Sequence, residues 1–284
     1  MKVKVAYLGP VGTYSHQMTQ QVYQGTSAEL IAYPTMEQVL EVVESSEVDE
    51  AIVPIENSTE GAVLVATDVL AHGVNLQITN EYLLPIEHFL WGVDPNQAVR
   101  EIISHPQALG QCRKFIKATY PEAQLTPFAS SAGAVYELLQ GHTDLAAIGS
   151  RQSGEELSLV ILKERIQDQK SNCTRFVQVK KNAPPLPKVG WLKISFVCMI
   201  NGEKSGSLQE VLQEFSSRKI NMTRIESRPT GAKIGEYYFF IDIVDEATSV
   251  AWQEALTNIE RESLWFKNLG IYPVLQEKAE GCLI

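Results

Sequence analysis

Short apolar runs alternate with stretches of helical spacing through the first 180 residues. This alternation predicts an α/β architecture with a mostly parallel sheet. Residues 3–8 read as a strand, followed by a glycine-rich turn over 9–15 and a helix over 15–24. Residues 30–33 read as a strand and 35–44 as a helix, with Thr35 in the capping position. A buried strand over 51–55 leads into a polar cluster and then a helix to about Leu70, with Ser58 or Thr59 as its cap. Residues 76–90 carry one long extended pattern. The strand ending at Ile103 runs into Ser104-His105-Pro106, where Pro106 suits the first turn of a helix. Residues 125–128 read as a strand before a helix starting at Ser130. Residues 145–149 form a small-residue strand before a helix starting at Ser150, and 159–162 are extended.

The pattern changes after the proline-rich stretch 182–187, which reads as a stiff linker. Strands are predicted over 191–200, 220–227, 237–244 and 264–274, with helices over 207–217 and 249–261. That order, βαββαβ, is the ferredoxin-like one. The chain thus divides into a block over 1–181, a linker over 182–190, a second domain over 191–276 and a tail over 277–284. Within the first block, residues 76–160 are expected to form a lobe of their own. The chain then returns to the lobe built from 1–75 and 161–181.

Ligands in open α/β sheets bind beyond the carboxyl ends of the strands. Polar residues cluster at several such ends: Asn57 and Ser58, Ser104, and Ser130 with Ser131. Gln107 and Gln111 lie four apart and share one helix face. His105 is either a proton donor or a cap, and capping is the commoner role. The turn over 9–15 either touches a ligand or merely joins strand to helix. It lacks the GxGxxG spacing, so a dinucleotide site is unsupported. In Ser171-Asn172-Cys173-Thr174-Arg175-Phe176, a polar turn precedes an alternating strand pattern. On spacing alone this is either a site aiming a hydroxyl and a guanidinium at a small anion, or an ordinary surface strand.

Composition narrows the classes. The 284 residues are 44% hydrophobic and 20% charged, enough for two packed domains. The formal net charge of −10, with no basic run, argues against a nucleic-acid partner. The four cysteines are widely spaced without a CxxC pair, so reduced thiols are expected and a zinc site or disulfide framework is not. The first residues read as a strand and not as a signal peptide. No apolar stretch is long enough to span a membrane. A cytoplasmic location is the resulting expectation.

The ordered set of motifs resembles prephenate dehydratase with a C-terminal ACT domain. The residues that carry this are Gly9-Pro10-Val11-Gly12-Thr13-Tyr14-Ser15-His16, Glu56-Asn57-Ser58 with Gly61 and Asp68, and Ser104-His105-Pro106-Gln107-Ala108-Leu109-Gly110-Gln111-Cys112. Ser130-Ser131-Ala132 and Asn172-Cys173-Thr174-Arg175-Phe176 complete the first domain's set. In the second domain they are Gly206-Ser207-Leu208, Ile225-Glu226-Ser227-Arg228-Pro229 and Gly235-Glu236-Tyr237-Tyr238-Phe239-Phe240. The resemblance covers nearly the whole chain. Ser131 stands where the family more often has Thr, Gly110 replaces a usual Ala, and residues 151–156 are more polar than is usual.

The resemblance implies a two-lobed, periplasmic-binding-protein-like catalytic domain with a central cleft, followed by an α+β ACT domain. It implies conversion of prephenate to phenylpyruvate, without metal or organic cofactor. Thr174 is the implied donor to the departing hydroxyl, Arg175 a carboxylate clamp, and Phe176 a packing residue behind them. Asn57, Ser58, Ser104, Gln107, Gln111 and Ser131 are the implied neutral ligands of the substrate. Gly206, Ser207, Leu208, Asn221, Glu226 and Ser227 are the implied effector site for phenylalanine, in a homodimer or homotetramer. No mutase-like helical segment precedes Met1, so a monofunctional enzyme is expected. Arogenate is the rival substrate. A non-catalytic amino-acid sensor or solute-binding protein is the rival of another class.

Overall fold

The computed structural model describes residues 2–231, 233, 235–275 and 282. Along the chain, β1 (Lys4–Leu8), α1 (Tyr14–Val22), β2 (Glu29–Tyr33), α2 (Met36–Glu44), β3 (Glu50–Asn57), the short β4 (Gly61–Ala62), α3 (Leu64–Asp68) and β5 (Gln77–Pro85) come first. They are followed by β6 (Phe89–Gly92), β7 (Glu101–Ser104), α4 (Pro106–Gln111), α5 (Arg113–Thr119), β8 (Gln124–Pro127), α6 (Ser131–Glu137), β9 (Leu145–Gly149), α7 (Arg151–Glu155) and β10 (Val160–Lys163). Then β11 (Cys173–Lys180) closes the block.

These elements form two lobes, each around its own sheet. The first sheet runs β2-β1-β3-β11-β5, and the second β10-β6-β9-β7-β8. The lobe boundaries differ from those expected. β5 joins the first sheet and β10 the second, so the chain crosses at 86–88 and returns at 164–172. The long extended pattern over 76–90 is therefore two strands in different lobes. The Ile86 amide donates to the Asn172 carbonyl (2.8 Å), which ties the two crossings together. Both sheets are also more mixed than expected. β1 is parallel to β2 and β3, and β7 to β8 and β9. However, β11 runs antiparallel between β3 and β5, and β6 antiparallel to both β9 and β10.

Local chemistry explains most helix starts. Thr13, Thr35, Ser130 and Ser150 each accept a backbone N–H with their side chains. Neither Ser58 nor Thr59 caps a helix, because the chain first turns back into β4 and α3 begins only at Leu64. Residues 181–190 are exposed and carry neither strand nor helix, as a linker should.

The second domain comprises β12 (Trp191–Met199), α8 (Ser207–Arg218), β13 (Asn221–Pro229), β14 (Tyr237–Glu246), α9 (Ala251–Glu262) and β15 (Trp265–Pro273). Its antiparallel sheet, ordered β13-β14-β12-β15, is the expected ferredoxin-like arrangement. This domain sits on the first lobe. Val197, Phe240, Leu269 and Tyr272 share one apolar core with Ile78, Val177 and Val179. A Cβ at Gly270 would collide with the backbone of Ile78, so only glycine lets β15 approach β5 this closely. The Lys267 ammonium donates to the carbonyls of Leu70, Ala71 and Val74 at the end of a π-helical turn over 69–73. The expected domain end at residue 276 lies outside the described residues, as does the expected tail over 277–284 apart from Cys282.

One expectation about cysteine fails. Cys173 and Cys282 form a disulfide across 109 residues, with Cα atoms 5.8 Å apart. Sequence spacing is silent on such a pair, because only the fold brings the start of β11 and the chain end together. Cys112 and Cys198 are free and buried.

Candidate active site

A cleft of about 420 Å³ lies between the two lobes. It is lined by the starts of four helices: Thr13 to Ser15 of α1, Gln107 and Ala108 of α4, Ser130 to Ala132 at α6, and Ser150 capping α7. Gly12 lets the α1 turn come close to α7. Its φ of +86° suits glycine, and a Cβ there would press on Ser153 at 3.2 Å. Ser150 Oγ then donates to the Gly12 carbonyl across the lobes (3.0 Å). Among the described residues no Lys, Arg, Asp or Glu lines the cleft, and its apolar wall includes Pro34, Pro54, Ile86 and Phe176.

Thr174 stands at the carboxyl end of β3, near the start of β11, and is 9% exposed. Its hydroxyl orientation is set by Asn57. Asn57 Oδ1 accepts the amides of Thr59 (2.9 Å) and Glu60 (3.0 Å), so its Nδ2 must face the other way. That Nδ2 donates to Thr174 Oγ1 (2.9 Å) and to Asn172 Oδ1 (2.8 Å). With its oxygen already accepting, Thr174 has its own hydrogen left to donate, and no described residue takes it. A hydroxyl held in this way is a directed proton donor at the cleft surface.

Gln111 also lines the cleft, as expected. Its Oε1 receives Asn172 Nδ2 (3.0 Å) and lies 2.8 Å from His88 Nε2, and its Nε2 donates to Glu60 Oε1 (3.2 Å). Gln107 and Ser131 line the same cleft. His105 caps α4, its Nδ1 accepting the Gln107 amide. Phe176 packs at 1% exposure beneath Thr174.

Three expected substrate ligands lie elsewhere. Ser104 is fully buried, donating to the Ile148 carbonyl (2.7 Å) and standing 3.2 Å from Ser131 Oγ, which it supports from behind. Ser58 Oγ accepts the Cys173 amide (2.9 Å) and its own amide donates to the Cys173 carbonyl (2.8 Å), fastening the start of β11 to β3. Arg175 points to the opposite face of the sheet from Thr174. Its guanidinium binds Glu81 (2.9 Å), Asp242 (2.6 Å), Glu56 (3.3 Å) and the Tyr272 hydroxyl (2.8 Å). Successive side chains of a strand alternate faces, so Thr174 and Arg175 do not reach one ligand.

Sequence reasoning passed over Tyr14, His88 and Asn172 as site residues. Asn172 bridges Asn57 to Gln111, and Tyr14 Oη lies 3.0 Å from His88 Nδ1. The available signal was a histidine inside the apolar run Ile86 to Leu90. His88 is 2% exposed, and burial lowers its pKa against the opposing Gln111 hydrogen bond.

In the second domain, Ser207 lines a 290 Å³ cavity between α8 and α9 and donates to the carbonyls of Asn201 and Lys204 (both 2.8 Å). Gly206 precedes α8 with a φ of +88°. Asn221, Glu226 and Ser227 lie on the edge strand β13, where Glu226 pairs with Arg224 (2.6 Å). Leu208 follows in the first turn of α8.

Residues 5–184 match the family model for prephenate dehydratase, and residues 201–261 that for the ACT domain. The prephenate dehydratase of Methanocaldococcus jannaschii is 36% identical over 96% of this chain and 99% of its own. The crystal structure of prephenate dehydratase from Arthrobacter aurescens in complex with L-Phe superposes with a TM-score of 0.88. It is 34% identical, covering 96% of this chain and 90% of that one. The quorum-quenching acylase GqqA also shares the fold, with a TM-score of 0.84 and 25% identity over 96% of this chain and 98% of its own.

Proposed function

The chain belongs to the prephenate dehydratase family, and on that premise we propose that it converts prephenate to phenylpyruvate, carbon dioxide and water. The observation that carries this reading is the directed hydroxyl of Thr174 at the wall of an uncharged cleft. In the reaction the ring carboxylate leaves as carbon dioxide, and the electrons of its C–C bond enter the ring. The ring C–O bond breaks, and the departing hydroxide takes a proton and leaves as water. Thr174 donates to that oxygen, and solvent restores its proton. General acid assistance of this kind contributes roughly 10²–10⁴-fold, and aromatisation supplies the remaining drive.

Prephenate carries two carboxylates. Among the lining residues no cation is present to hold them. The starts of α1, α4, α6 and α7 line the cleft, where helix N-termini favour an anion, and Gln107, Gln111 and Ser131 add neutral donors. This arrangement binds an anion without clamping the carboxylate that must leave. Poor hydration of that carboxylate favours its loss.

Arogenate has an ammonium group where prephenate has a ketone. No carboxylate lines the cleft to pair with it, which favours prephenate. An acylase reading, suggested by GqqA, needs a base beside the hydroxyl nucleophile. Thr174 instead receives a hydrogen bond from the Asn57 amide nitrogen, which cannot take up a proton.

The ACT domain is proposed to bind phenylalanine as a feedback inhibitor, through Gly206 to Leu208, Asn221, Glu226 and Ser227 in a homodimer or homotetramer. The relative crystallised with L-Phe supports this. One assay tests the reading: ultraviolet detection of phenylpyruvate from prephenate, repeated with arogenate and with added phenylalanine. Turnover of prephenate that falls as phenylalanine rises is the expected outcome. No phenylpyruvate from active-folded protein would overturn it.

A further inference from the structure

The hydrogen bonds around Gln111 form one chain whose polarity is fixed at its start. Two backbone amides hold Asn57 Oδ1, so Asn57 Nδ2 faces Asn172 Oδ1. Asn172 must then present its Nδ2 to Gln111 Oε1. The remaining neighbour of that oxygen is His88 Nε2, at 2.8 Å. An oxygen can only accept, so His88 Nε2 carries the proton. The other ring nitrogen, Nδ1, lies 3.0 Å from Tyr14 Oη, whose hydroxyl is also 2.8 Å from the Glu87 carbonyl. The Tyr14 hydroxyl donates to the Glu87 carbonyl and stands beside Nδ1, while burial disfavours the imidazolium.

We propose that His88 is a positioning residue for substrate binding, whose Nε2–H locks the Gln111 amide so that its NH₂ group faces the cleft. One hydrogen of that group goes to Glu60 Oε1 at 3.2 Å. The second has no acceptor among the described residues, and Gln111 lines the cleft. Without His88 the amide keeps only its Asn172 and Glu60 bonds and rotates more readily. A rotated Gln111 presents its carbonyl oxygen to a carboxylate, which repels it. His88 sits at the outward lobe crossing, where its backbone is held by Gln167 Oε1 (3.0 Å) and by the Ile166 amide (2.9 Å). It therefore fixes Gln111 from a part of the chain that does not itself belong to either sheet.

This inference rests on the prephenate reading for its kinetic arm alone. His88→Phe keeps an aromatic ring, one atom larger, and removes both nitrogens. The expected result is a KM for prephenate raised about 10–100-fold with kcat within about 3-fold, the signature of lost ground-state binding. His88→Gln places an amide N–H near the position of Nε2. It is expected to recover most of that loss, to within about 5-fold of the unaltered protein. The second arm is independent of substrate. Side-chain nitrogen NMR of the ¹⁵N-histidine-labelled full chain, with His88→Gln to assign the signal, should show the neutral Nε2–H tautomer at pH 7. A Nδ1–H tautomer or an imidazolium at that pH overturns the inference, as does a His88→Gln variant with the same KM as His88→Phe. An unaltered protein without dehydratase activity refutes the prephenate reading instead, and the tautomer then decides this one.

Discussion

Arg175 Nη1 and Asp242 Oδ2 meet at 2.6 Å across the boundary between the catalytic lobe and the second domain. Both side chains are buried. Arg175 is the residue after Thr174, so one strand carries the proposed proton donor on one face and the domain junction on the other. Around the pair, Glu81 joins Arg175 to Lys193 (2.7 Å), and Tyr272 joins it to Ser195 (2.7 Å). The second domain thus contacts the strand that carries Thr174 through the neighbouring residue Arg175.

Neutralising Asp242 leaves the buried Arg175 with Glu81 and Glu56 as its remaining counter-ions. Asp242→Asn is therefore expected to cost about 1–3 kcal/mol of stability at pH 7. The pH dependence has a definite sign. Burial opposes the Asp242 charge, but the Arg175 and Arg224 guanidiniums outweigh it and hold its carboxyl below the usual range. A depressed carboxyl contributes stability above its unfolded pKa of about 4 and loses it as pH falls through the folded value. Urea unfolding of both proteins should show the widest gap at neutral pH and a narrowing gap below pH of about 4. A gap that is constant or widens on acidification would refute the assignment.

Much of this arrangement is legible in the sequence. The strand-end rule placed Asn57, Gln107, Gln111 and Ser131 at one cleft, and the βαββαβ pattern gave the second domain. The same physics was available for Arg175 but pointed elsewhere. Period-two alternation across 173–180 puts Thr174 and Phe176 on one face and Arg175 on the other, whereas the family resemblance had grouped all three at one site. Ser104 looked like a ligand because it ends a strand, yet full burial leaves it able only to support Ser131. His88 was hidden because a single histidine in an apolar run has no periodic signal. The Cys173–Cys282 pair was hidden because its partners lie 109 residues apart.

The Asn57–Thr174 contact makes a sharper prediction than removal of the hydroxyl alone. Thr174→Ala should lower kcat about 10²–10⁴-fold with a small change in KM. Asn57→Asp keeps the shape but replaces the amide donor with a carboxylate. Thr174 then donates its hydrogen to that carboxylate and no longer to the substrate. Steady-state kinetics should show kcat falling by at least about 10-fold in this variant although Thr174 is intact. Retention of full kcat in Asn57→Asp would mean that the direction of the hydroxyl does not matter.

The disulfide holds the same end of this strand. Cys173 precedes Thr174 directly, and its partner Cys282 lies near the chain terminus. Closing so long a loop restricts the unfolded chain, so Cys282→Ser or chemical reduction should cost about 2–4 kcal/mol. In a chain of this size that lowers Tm by about 4–10 °C. Turnover should respond far less. Ser58 already holds both backbone groups of Cys173, and Asn57 sets the Thr174 hydroxyl, without help from the disulfide. At 25 °C, kcat of Cys282→Ser is therefore expected within about 3-fold of the unaltered protein, since the donor geometry is unchanged. Thiol alkylation of the denatured, unreduced protein should modify two cysteines, Cys112 and Cys198, and leave the pair unlabelled. Labelling of all four would show that the bond does not form. A large loss of kcat with the fold intact would show instead that the tether, and not Ser58, holds the catalytic strand.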